Sequence, residues 1–497
     1  MLLVLFVILC SLFIYWINKR YSYWSKRGIP GPSPLPLVGN FWRNIVGKSS
    51  AGEIVTEVYN EYKDYPFVGI YRNTTPILVA RDPEFIKNVL VKDFKNFHDN
   101  DIEVDPEVDP IFGRNPFVMK GAAWKHKRAQ LTTCFTSGKI KGMYYFIDNT
   151  GKNMVKYIEE QLKQPAPLEA REVCVRFTLD NVAACAFGLE GKSFDEPYST
   201  FRELADNMLS PEGTANKLMW MFVTVFPDFI KYFKIRLVSK AIETRLFDIV
   251  RGSLKHRKDN NIVRNDFLDI ISNQSNVEGG TVSTIDILAN AVSFFADGYE
   301  TSSRVMAFLL YDLALNPDVQ TNLREHLTDI YKKNNDQFTY ESVNELQYLD
   351  ACLSESLRVN SVVYTLTKVC TEDYTYTPTN SDYKPISVKL KVGDVVMIPL
   401  LAVQMDPKYF EDPEKFKPER FIDNQVKRYT YFPFGDGPRA CLGQRFAQTQ
   451  IKLGIAYIIK NFKLTFNSKT QLPLKYDPFY ILKHPIGGLW LNFEKIN

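Results

Sequence analysis

A ten-residue segment near the carboxyl end, FGDGPRACLG at 434–443, constrains the fold of this chain more than any other feature. It sets Cys441 in a glycine-rich turn, directly before an apolar run with the pattern of a helix. A thiolate at a helix N-terminus is stabilised by free backbone N–H groups and by the helix dipole. A soft sulfur donor suits iron, and Arg439 is placed to meet a carboxylate. The glycines let the backbone approach a flat ligand closely. The segment therefore predicts a fold built around a flat, iron-bearing ligand. A buried structural cysteine in a glycine-rich loop is the alternative.

The same segment resembles the haem-binding signature of the cytochrome P-450 superfamily, Phe-x-x-Gly-x-Arg-x-Cys-x-Gly. Phe434, Gly437, Arg439, Cys441 and Gly443 fill that signature without a gap. The resemblance implies haem b as the cofactor, Cys441 as the axial iron ligand, and the other four residues as part of the cofactor-binding site. It also implies a mainly α-helical fold with a small β-region, in a single catalytic domain.

The composition fits one large domain and excludes some classes of function. Hydrophobic residues make up 45% of the 497, and no linker, repeat or low-complexity tract interrupts the middle of the chain. A net charge of only +4 argues against a nucleic-acid binder that relies on phosphate contacts. The seven cysteines are scattered and include no C-x-x-C pair, so we expect reduced thiols in a cytosolic compartment and no zinc site.

Residues 1–17 carry no charge and predict a membrane-spanning helix. A helix of that length is about 26 Å long, close to the roughly 27 Å hydrocarbon core of the endoplasmic reticulum. Basic residues follow at once (Lys19, Arg20, Lys26, Arg27), so the positive-inside rule places the rest of the chain in the cytosol. A cleavable signal peptide is the alternative, although neither a basic leader nor a small-residue cleavage site is evident.

These features divide the chain into three parts. We expect a transmembrane anchor at 1–18, a basic and proline-rich hinge at 19–36, and a haem-thiolate catalytic domain at 37–497. The hinge contains the run PGPSPLP, which favours a semi-rigid polyproline II spacer. Anchor and hinge together resemble the start of microsomal members of the family, which implies residence in the endoplasmic reticulum membrane.

Residue patterns predict the small β-region inside a mostly helical chain. Residues 66–71 and 76–80 have the composition of two short strands, and 387–392 with 395–400 predict a hairpin. The acidic, proline-containing stretch 98–122 predicts a loop, a type of segment that often carries specificity.

The longest helical pattern runs from 284 to 316, with Thr284 as its predicted cap and Pro317 as its stop. Its apolar surface is interrupted by DGYETS at 297–302. Burying two carboxylates and a hydroxyl in a core helix costs several kcal/mol unless they have partners, so the interruption suggests a function.

The interruption resembles the oxygen-activation segment of the family, Ala/Gly-Gly-x-Asp/Glu-Thr-Thr/Ser. Gly298, Glu300, Thr301 and Ser302 match, and we expect Gly298 to open a pocket free of side chains. The resemblance implies that Glu300 and Thr301 deliver protons for oxygen activation; a satisfied core hydroxyl is the alternative for Thr301. Asp297 stands where a small residue is usual. It could relay protons, bind a polar substrate group or form a salt bridge, and we favour the salt bridge.

Other cofactor-binding residues follow from the resemblance. Trp124 and Arg128 are four apart and share one face of a predicted helix, which in the family places both on a haem propionate. Packing and surface roles are the alternative for both. Lys368 stands where the family has an arginine or histidine on a propionate, and a lysine keeps the charge but lacks the fork geometry.

Three more residues match a structural feature of the family. Glu355 and Arg358 fit Glu-x-x-Arg, a pattern common by chance, and Arg420 lies in the segment that partners it. The resemblance implies a buried Glu–Arg–Arg network with a structural role.

The implied activity is a monooxygenase that uses O2 to oxygenate a hydrophobic small molecule, a xenobiotic or an endogenous lipid or hormone. Electrons would come from NADPH through a flavoprotein reductase, with a cytochrome b-type protein as another donor, and the sequence is most similar to the insect detoxification branch. Two alternatives remain open. An oxygen-independent haem-thiolate isomerase or dehydratase would not need the acid–threonine pair, and a non-enzymatic haem or ligand carrier would need no reductase.

Overall fold

The computed structural model is mainly helical, with small β-sheets at one side. It describes residues 1–164, 166–196, 198–209, 213–274, 283–379, 381–423 and 426–496. The architecture confirms the predicted fold class.

The helices of the described residues are α1–α20. The first eleven are α1 (Leu2–Tyr21), α2 (Trp42–Ile45), α3 (Ala51–Glu61), α4 (Pro83–Lys87), α5 (Pro110–Gly113), α6 (Gly121–Thr132), α7 (Ser137–Gln161), α8 (Ala170–Val182), α9 (Thr200–Leu209), α10 (Thr214–Val225) and α11 (Pro227–Tyr232). The others are α12 (Lys240–Asn260), α13 (Phe267–Gln274), α14 (Thr284–Leu315), α15 (Pro317–Lys333), α16 (Tyr340–Asn344), α17 (Gln347–Val359), α18 (Leu400–Gln404), α19 (Glu419–Ile422) and α20 (Gln444–Asn461).

The strands of the described residues form three small sheets. They are β1 (Phe67–Arg72), β2 (Thr75–Ala80), β3 (Leu168–Glu169), β4 (Leu366–Val369), β5 (Tyr374–Tyr376), β6 (Val388–Leu390), β7 (Val395–Ile398), β8 (Phe462–Phe466) and β9 (Trp490–Lys495). The sheet orders are β1-β2-β7-β4, β3-β9-β8 and β5-β6, and β2 runs parallel to β7. The strands predicted at 66–71 and 76–80 are confirmed as β1 and β2.

The predicted hairpin between 387–392 and 395–400 is wrong. β6 and β7 do lie in these segments, but β6 pairs with β5, while β7 lies between β2 and β4. Because both edges of β7 are taken, β6 cannot join it. The chain still turns between them at Gly393, whose φ is +94°. Local turn chemistry thus predicted the reversal but not the pairing.

Helix α14 crosses the core and organises the fold. It packs against α8, α20, α17, α5 and β8, and most of its side chains are buried. The prediction of a helix from 284 to 316 is confirmed, but the cap is Ser283 rather than Thr284. The extended backbone of Ser283 lets its Oγ accept a hydrogen bond from the Asp286 N–H at 3.2 Å.

Helix α1 is long and apolar enough to cross a membrane, and the segment that follows it is fixed to the first sheet. Trp24 is buried, and its indole N–H donates to the Ile70 oxygen at 3.1 Å. The Gly69 N–H donates to the Pro30 oxygen at 2.8 Å. A Cβ on Gly69 would lie 2.3 Å from Trp24 Cγ, so glycine is required for this contact.

The predicted Glu–Arg–Arg network is confirmed and lies fully inside the protein. Arg358 donates from Nε and Nη2 to the two Glu355 oxygens at 2.7 and 2.8 Å. Arg420 Nε donates to Glu355 Oε1 at 3.3 Å, and Arg358 Nη1 donates to the Gln404 oxygen at 3.0 Å. The network therefore holds α17, α18 and α19 together on the side of the core that leads to the cysteine segment.

Replacing Glu355 with alanine should lower the free energy of unfolding by about 3–5 kcal/mol, because two buried guanidinium groups lose their carboxylate. Urea denaturation of the purified variant measures this. Glu341→Ala is the matched control, since the Glu341 and Lys141 side chains are 50% and 59% exposed and solvent screens their pair, so its loss should change the stability little. Equal losses in the two variants would contradict the role of the network.

Candidate active site

The cysteine segment forms a tight loop that ends at α20. The Cys441 N–H donates to the Phe434 oxygen at 2.7 Å and closes the loop. Gly437 has a φ of +69°, and a Cβ there would lie 2.1 Å from the Leu90 oxygen, so no other residue fits. Gly443 caps α20, and its N–H donates toward the Cys441 sulfur. The loop therefore holds the thiol at the N-terminus of α20, as the sequence predicted.

The Cys441 side chain is exposed although protein surrounds it on most sides, so we infer that it lies in a recess, called the cavity below. Burial raises the pKa of its thiol to about 11. Burial thus outweighs the Gly443 N–H, which alone would lower the pKa. A thiol in such a place is deprotonated when a metal ion binds it, because the cation replaces the lost solvation.

The polar interruption of α14 contributes two side chains to the same cavity. Asp297 is exposed although burial raises its pKa to about 6, and its charge in turn raises the pKa of Cys441. Thr301 is partly exposed beside it. The expected pocket at Gly298 is wrong, because a Cβ there would point at α8, 3.0 Å from Val182 Cγ1. That glycine makes room for helix packing instead.

The hydroxyl of Thr301 donates to the Asp297 main-chain oxygen at 2.7 Å. This is the ordinary bond of a threonine to the carbonyl four residues earlier, and it forms because α14 is unbroken here. The donor is therefore committed to the backbone, while the lone pairs of Oγ1 remain able to accept a proton or a hydrogen bond from the cavity.

Glu300 points away into a cluster of ion pairs. Its carboxylate accepts from Arg171 at 2.8 and 3.0 Å, from Arg304 at 2.5 and 3.1 Å, and from the Tyr480 hydroxyl at 3.0 Å. Burial alone would raise the pKa of Glu300, but the two arginines outweigh it and lower that pKa to about 2. Glu300 therefore stays ionised near neutral pH. Proton delivery by Glu300 stays a prediction. It would require the ion pairs with Arg171 and Arg304 to open.

Asp297 does not form the favoured salt bridge within the described part of the chain. Its Oδ2 accepts from Asn115 Nδ2 at 2.9 Å. The Asn115 amide is itself oriented, because its Oδ1 accepts from the Phe117 N–H at 2.8 Å. A neutral amide offsets only part of the cost of burying a carboxylate, so the pKa of Asp297 stays raised by burial.

The structure brings Trp124, Arg128, Lys368 and Arg439 together. The Arg439 guanidinium lies 4.0 Å from the centre of the Trp124 ring. Lys368 Nζ donates to Asn100 Oδ1 at 2.7 Å. Arg439 donates to main-chain oxygens, each at 2.8 Å: those of His98, Pro116 and Met119. These predicted propionate-binding residues thus form one group, although they come from three separate segments: α6, β4 and the cysteine loop.

Positive charge is in excess in this group. Burial, together with the charge of Arg439, lowers the pKa of Lys368 to about 7. Burial and nearby Arg128 lower the pKa of Arg439 to about 10, although Asp99 at 3.4 Å raises it. Among the described contacts, Asp99 is the carboxylate that lies near both Lys368 and Arg439. A ligand that carries two negative charges would restore the balance.

The sequence did not predict several residues that shape the site. Asn115 lies in the 98–122 segment, which predicted only a loop that carries specificity. Arg171 and Tyr480 bind Glu300 from 129 and 180 residues away, and no local pattern marks either one. Such partners become visible only when the fold brings distant segments together.

Glu300→Gln should destabilise the protein in a pH-dependent way. The folded pKa of Glu300 is about 2 against 4.5 for the free side chain, so its carboxylate contributes about 3 kcal/mol above pH 4.5. That contribution is lost as pH falls from 4.5 towards 2. Urea denaturation should therefore show wild type and variant converging by about 2 kcal/mol between pH 5 and pH 3.

Glu57→Gln serves as the control, because the Glu57 side chain is largely exposed beside Arg43. Its difference from wild type should be small throughout this pH range. A constant gap between wild type and Glu300→Gln would mean that the arginines do not hold this carboxylate ionised.

Comparison with known proteins identifies the family. The Cytochrome P450 family model matches residues 29–491. Cytochrome P450 6j1 of Blattella germanica is 34% identical over 486 residues, which cover 97% of this chain and 95% of that protein. Cytochrome P450 6a2 of Drosophila melanogaster is 33% identical over 519 residues, which cover 100% and 99% of the two chains. Members of the family bind haem b through a cysteine thiolate. This chain therefore belongs to the cytochrome P450 family, beside insect members, and is a haem-thiolate monooxygenase.

Proposed function

We propose that this monooxygenase oxidises hydrophobic small molecules, xenobiotics or endogenous lipids, with NADPH electrons delivered by a flavoprotein reductase. A cytochrome b-type protein is a second electron donor. The observation that carries the proposal is that Cys441 and Asp297 are both exposed and lie close enough for the Asp297 charge to raise the pKa of the Cys441 thiol. The thiol and the polar interruption of α14 therefore border the same cavity. A ligand carrier would need no hydroxyl or carboxyl group there, and an oxygen-independent enzyme would not need Thr301.

The residues present fit haem b. The loop around Gly437 is free of a Cβ where the backbone packs closely, and the basic side chains near Arg439 outnumber the carboxylate of Asp99, as a site for propionates requires. When bound, haem supplies the activation of O2 and the transfer of one oxygen atom to the substrate. We assign iron ligation to Cys441. The other cofactor-binding residues are Trp124, Arg128, Lys368, Phe434, Gly437, Arg439 and Gly443.

Proton handling at the cavity falls to Thr301. Its Oγ1 is anchored to the helix backbone and offers lone pairs to the cavity, so it can order water and pass a proton along. Glu300 supports this placement by fixing α14 through Arg171 and Arg304, and it joins proton transfer only when an arginine releases it. We assign Asp297 to contact with the substrate, since it lies one helical turn before Thr301 on the same face of α14.

The division into a 1–18 anchor, a 19–36 hinge and a 37–497 catalytic domain supports a location in the endoplasmic reticulum membrane, with the site in the cytosol. Its basis is the apolar helix α1 and the basic residues at its end. A membrane location suits an apolar substrate, because such a molecule concentrates in lipid.

Thr301→Ala should lower the product formed per NADPH consumed by about tenfold or more, because the cavity loses a positioned proton relay. The assay reconstitutes the full-length holoenzyme with NADPH and flavoprotein reductase, and follows dealkylation of a panel of resorufin alkyl ethers. Thr321→Ala is the matched control, since the Thr321 hydroxyl bonds the Pro317 oxygen in the same way on exposed α15. Unchanged coupling in Thr301→Ala would favour the oxygen-independent alternative.

Lys368→Met should speed haem loss about tenfold, because a charge-assisted hydrogen bond contributes about 1.5–3 kcal/mol. Transfer of haem from the ferric protein to excess apomyoglobin measures the rate. Lys389→Met, at an exposed position on β6, should leave the rate as it is in the wild type. If both variants lose haem at the wild-type rate, Lys368 does not hold the cofactor.

A further inference from the structure

The carboxylate of Asp297 has one partner and one open oxygen. Asn115 Nδ2 binds Oδ2, and the Phe117 N–H fixes the orientation of that amide. Among the described residues no donor reaches Oδ1. The pair therefore presents a held carboxylate to the cavity, with an acceptor atom left for a ligand.

No cation of the described chain offsets this charge. Arg114, the chain neighbour of Asn115, and Lys127 pair with Asp286 instead: Lys127 Nζ lies 2.9 Å and Arg114 Nε 3.8 Å from Asp286 Oδ1. Burial accordingly raises the pKa of Asp297, and the Asn115 bond lowers it only in part. Asp297 is exposed, and an apolar molecule bound against it would displace water and leave the carboxylate without a counter-charge. A ligand that brings its own cation would offset that charge.

Two more polar side chains lie on the same face of α14. Asn290 and Ser293 precede Asp297 by seven and four residues, which places them within two helical turns along one side. The two residues are only 2% and 6% exposed. Neither side chain has a hydrogen-bond partner among the described residues. Buried polar groups are usually paired, so these two unpaired side chains continue the polar strip of α14 beneath Asp297.

We propose that Asp297, held by Asn115, is a specificity-determining residue that binds the protonated amine of an otherwise apolar substrate. The ammonium group would bind Oδ1, and its charge would replace the missing cation. This inference rests on the proposed function, since it names the class of hydrophobic molecule that the cavity selects: lipophilic amines.

The test compares two ligands of equal shape on the full-length holoenzyme. N,N-dimethylhexylamine is protonated near pH 7, whereas 2-methyloctane is its neutral carbon isostere. Spectral titration of the ferric enzyme gives a dissociation constant for each, and a red-shifted Soret band would reveal amine ligation to iron instead. We expect wild type to bind the amine at least tenfold more tightly than the hydrocarbon, because a hydrogen bond to a charged group favours the amine by about that factor.

Asp297→Asn should abolish this preference and leave the affinity for the hydrocarbon within about twofold. Asp297→Ala supplies a second variant if the asparagine does not accumulate as holoenzyme. Asp286→Asn is the matched control, since Asp286 lies on the same helix but is already paired with Lys127. It should retain the preference.

Equal binding of the two ligands by wild type, or a preference that survives in both Asp297 variants, would overturn the proposal. Amine ligation to iron as the sole mode of binding would overturn it as well. The titration uses neither NADPH nor reductase. A wild type that selects the amine but oxidises nothing in the reconstituted system would therefore count against the proposed function. The amine-binding role of Asp297 would still stand.

Discussion

Charge buried in a protein interior must be offset, and in this chain that requirement separates the framework from the site. The Glu355 network and the Glu300 cluster are balanced by arginines of the chain itself. The cations around Arg439 and the carboxylate of Asp297 are not. Because an uncompensated buried charge is costly, balanced groups act as supports, whereas unbalanced ones are the places where a bound molecule completes the structure.

Local sequence patterns predicted the features that depend on residues close together in the chain. The Cys441 loop depends on glycines and a helix start within ten residues, and α14 depends on its apolar period, so both could be predicted. The pairing of β6 and the partners of Glu300 depend on segments far apart in the chain. The sequence therefore could not predict which acid is paired with a cation. In the structure Glu300 is paired with two arginines, whereas Asp297 has no cationic partner among the described residues.

The family relationship sharpens the meaning of that difference. Insect relatives at 32–34% identity align along nearly the whole chain, so the framework is shared. Within the segment that resembles the family's oxygen-activation pattern, Asp297 stands where that pattern has a small residue. A carboxylate in that place changes the shape and the charge of the cavity together, while the Gly298 contact with α8 keeps the helix packing unchanged.

The segment after α1 has a mechanical consequence. Trp24 and Pro30 are bonded to β1 through main-chain atoms of Ile70 and Gly69, so the chain leaves the apolar helix already attached to the sheet. A tether of this kind transmits orientation as well as position. With α1 inserted in a bilayer, this attachment would hold the rest of the protein at a fixed angle to the membrane. The same face of the protein would then always lie toward the lipid.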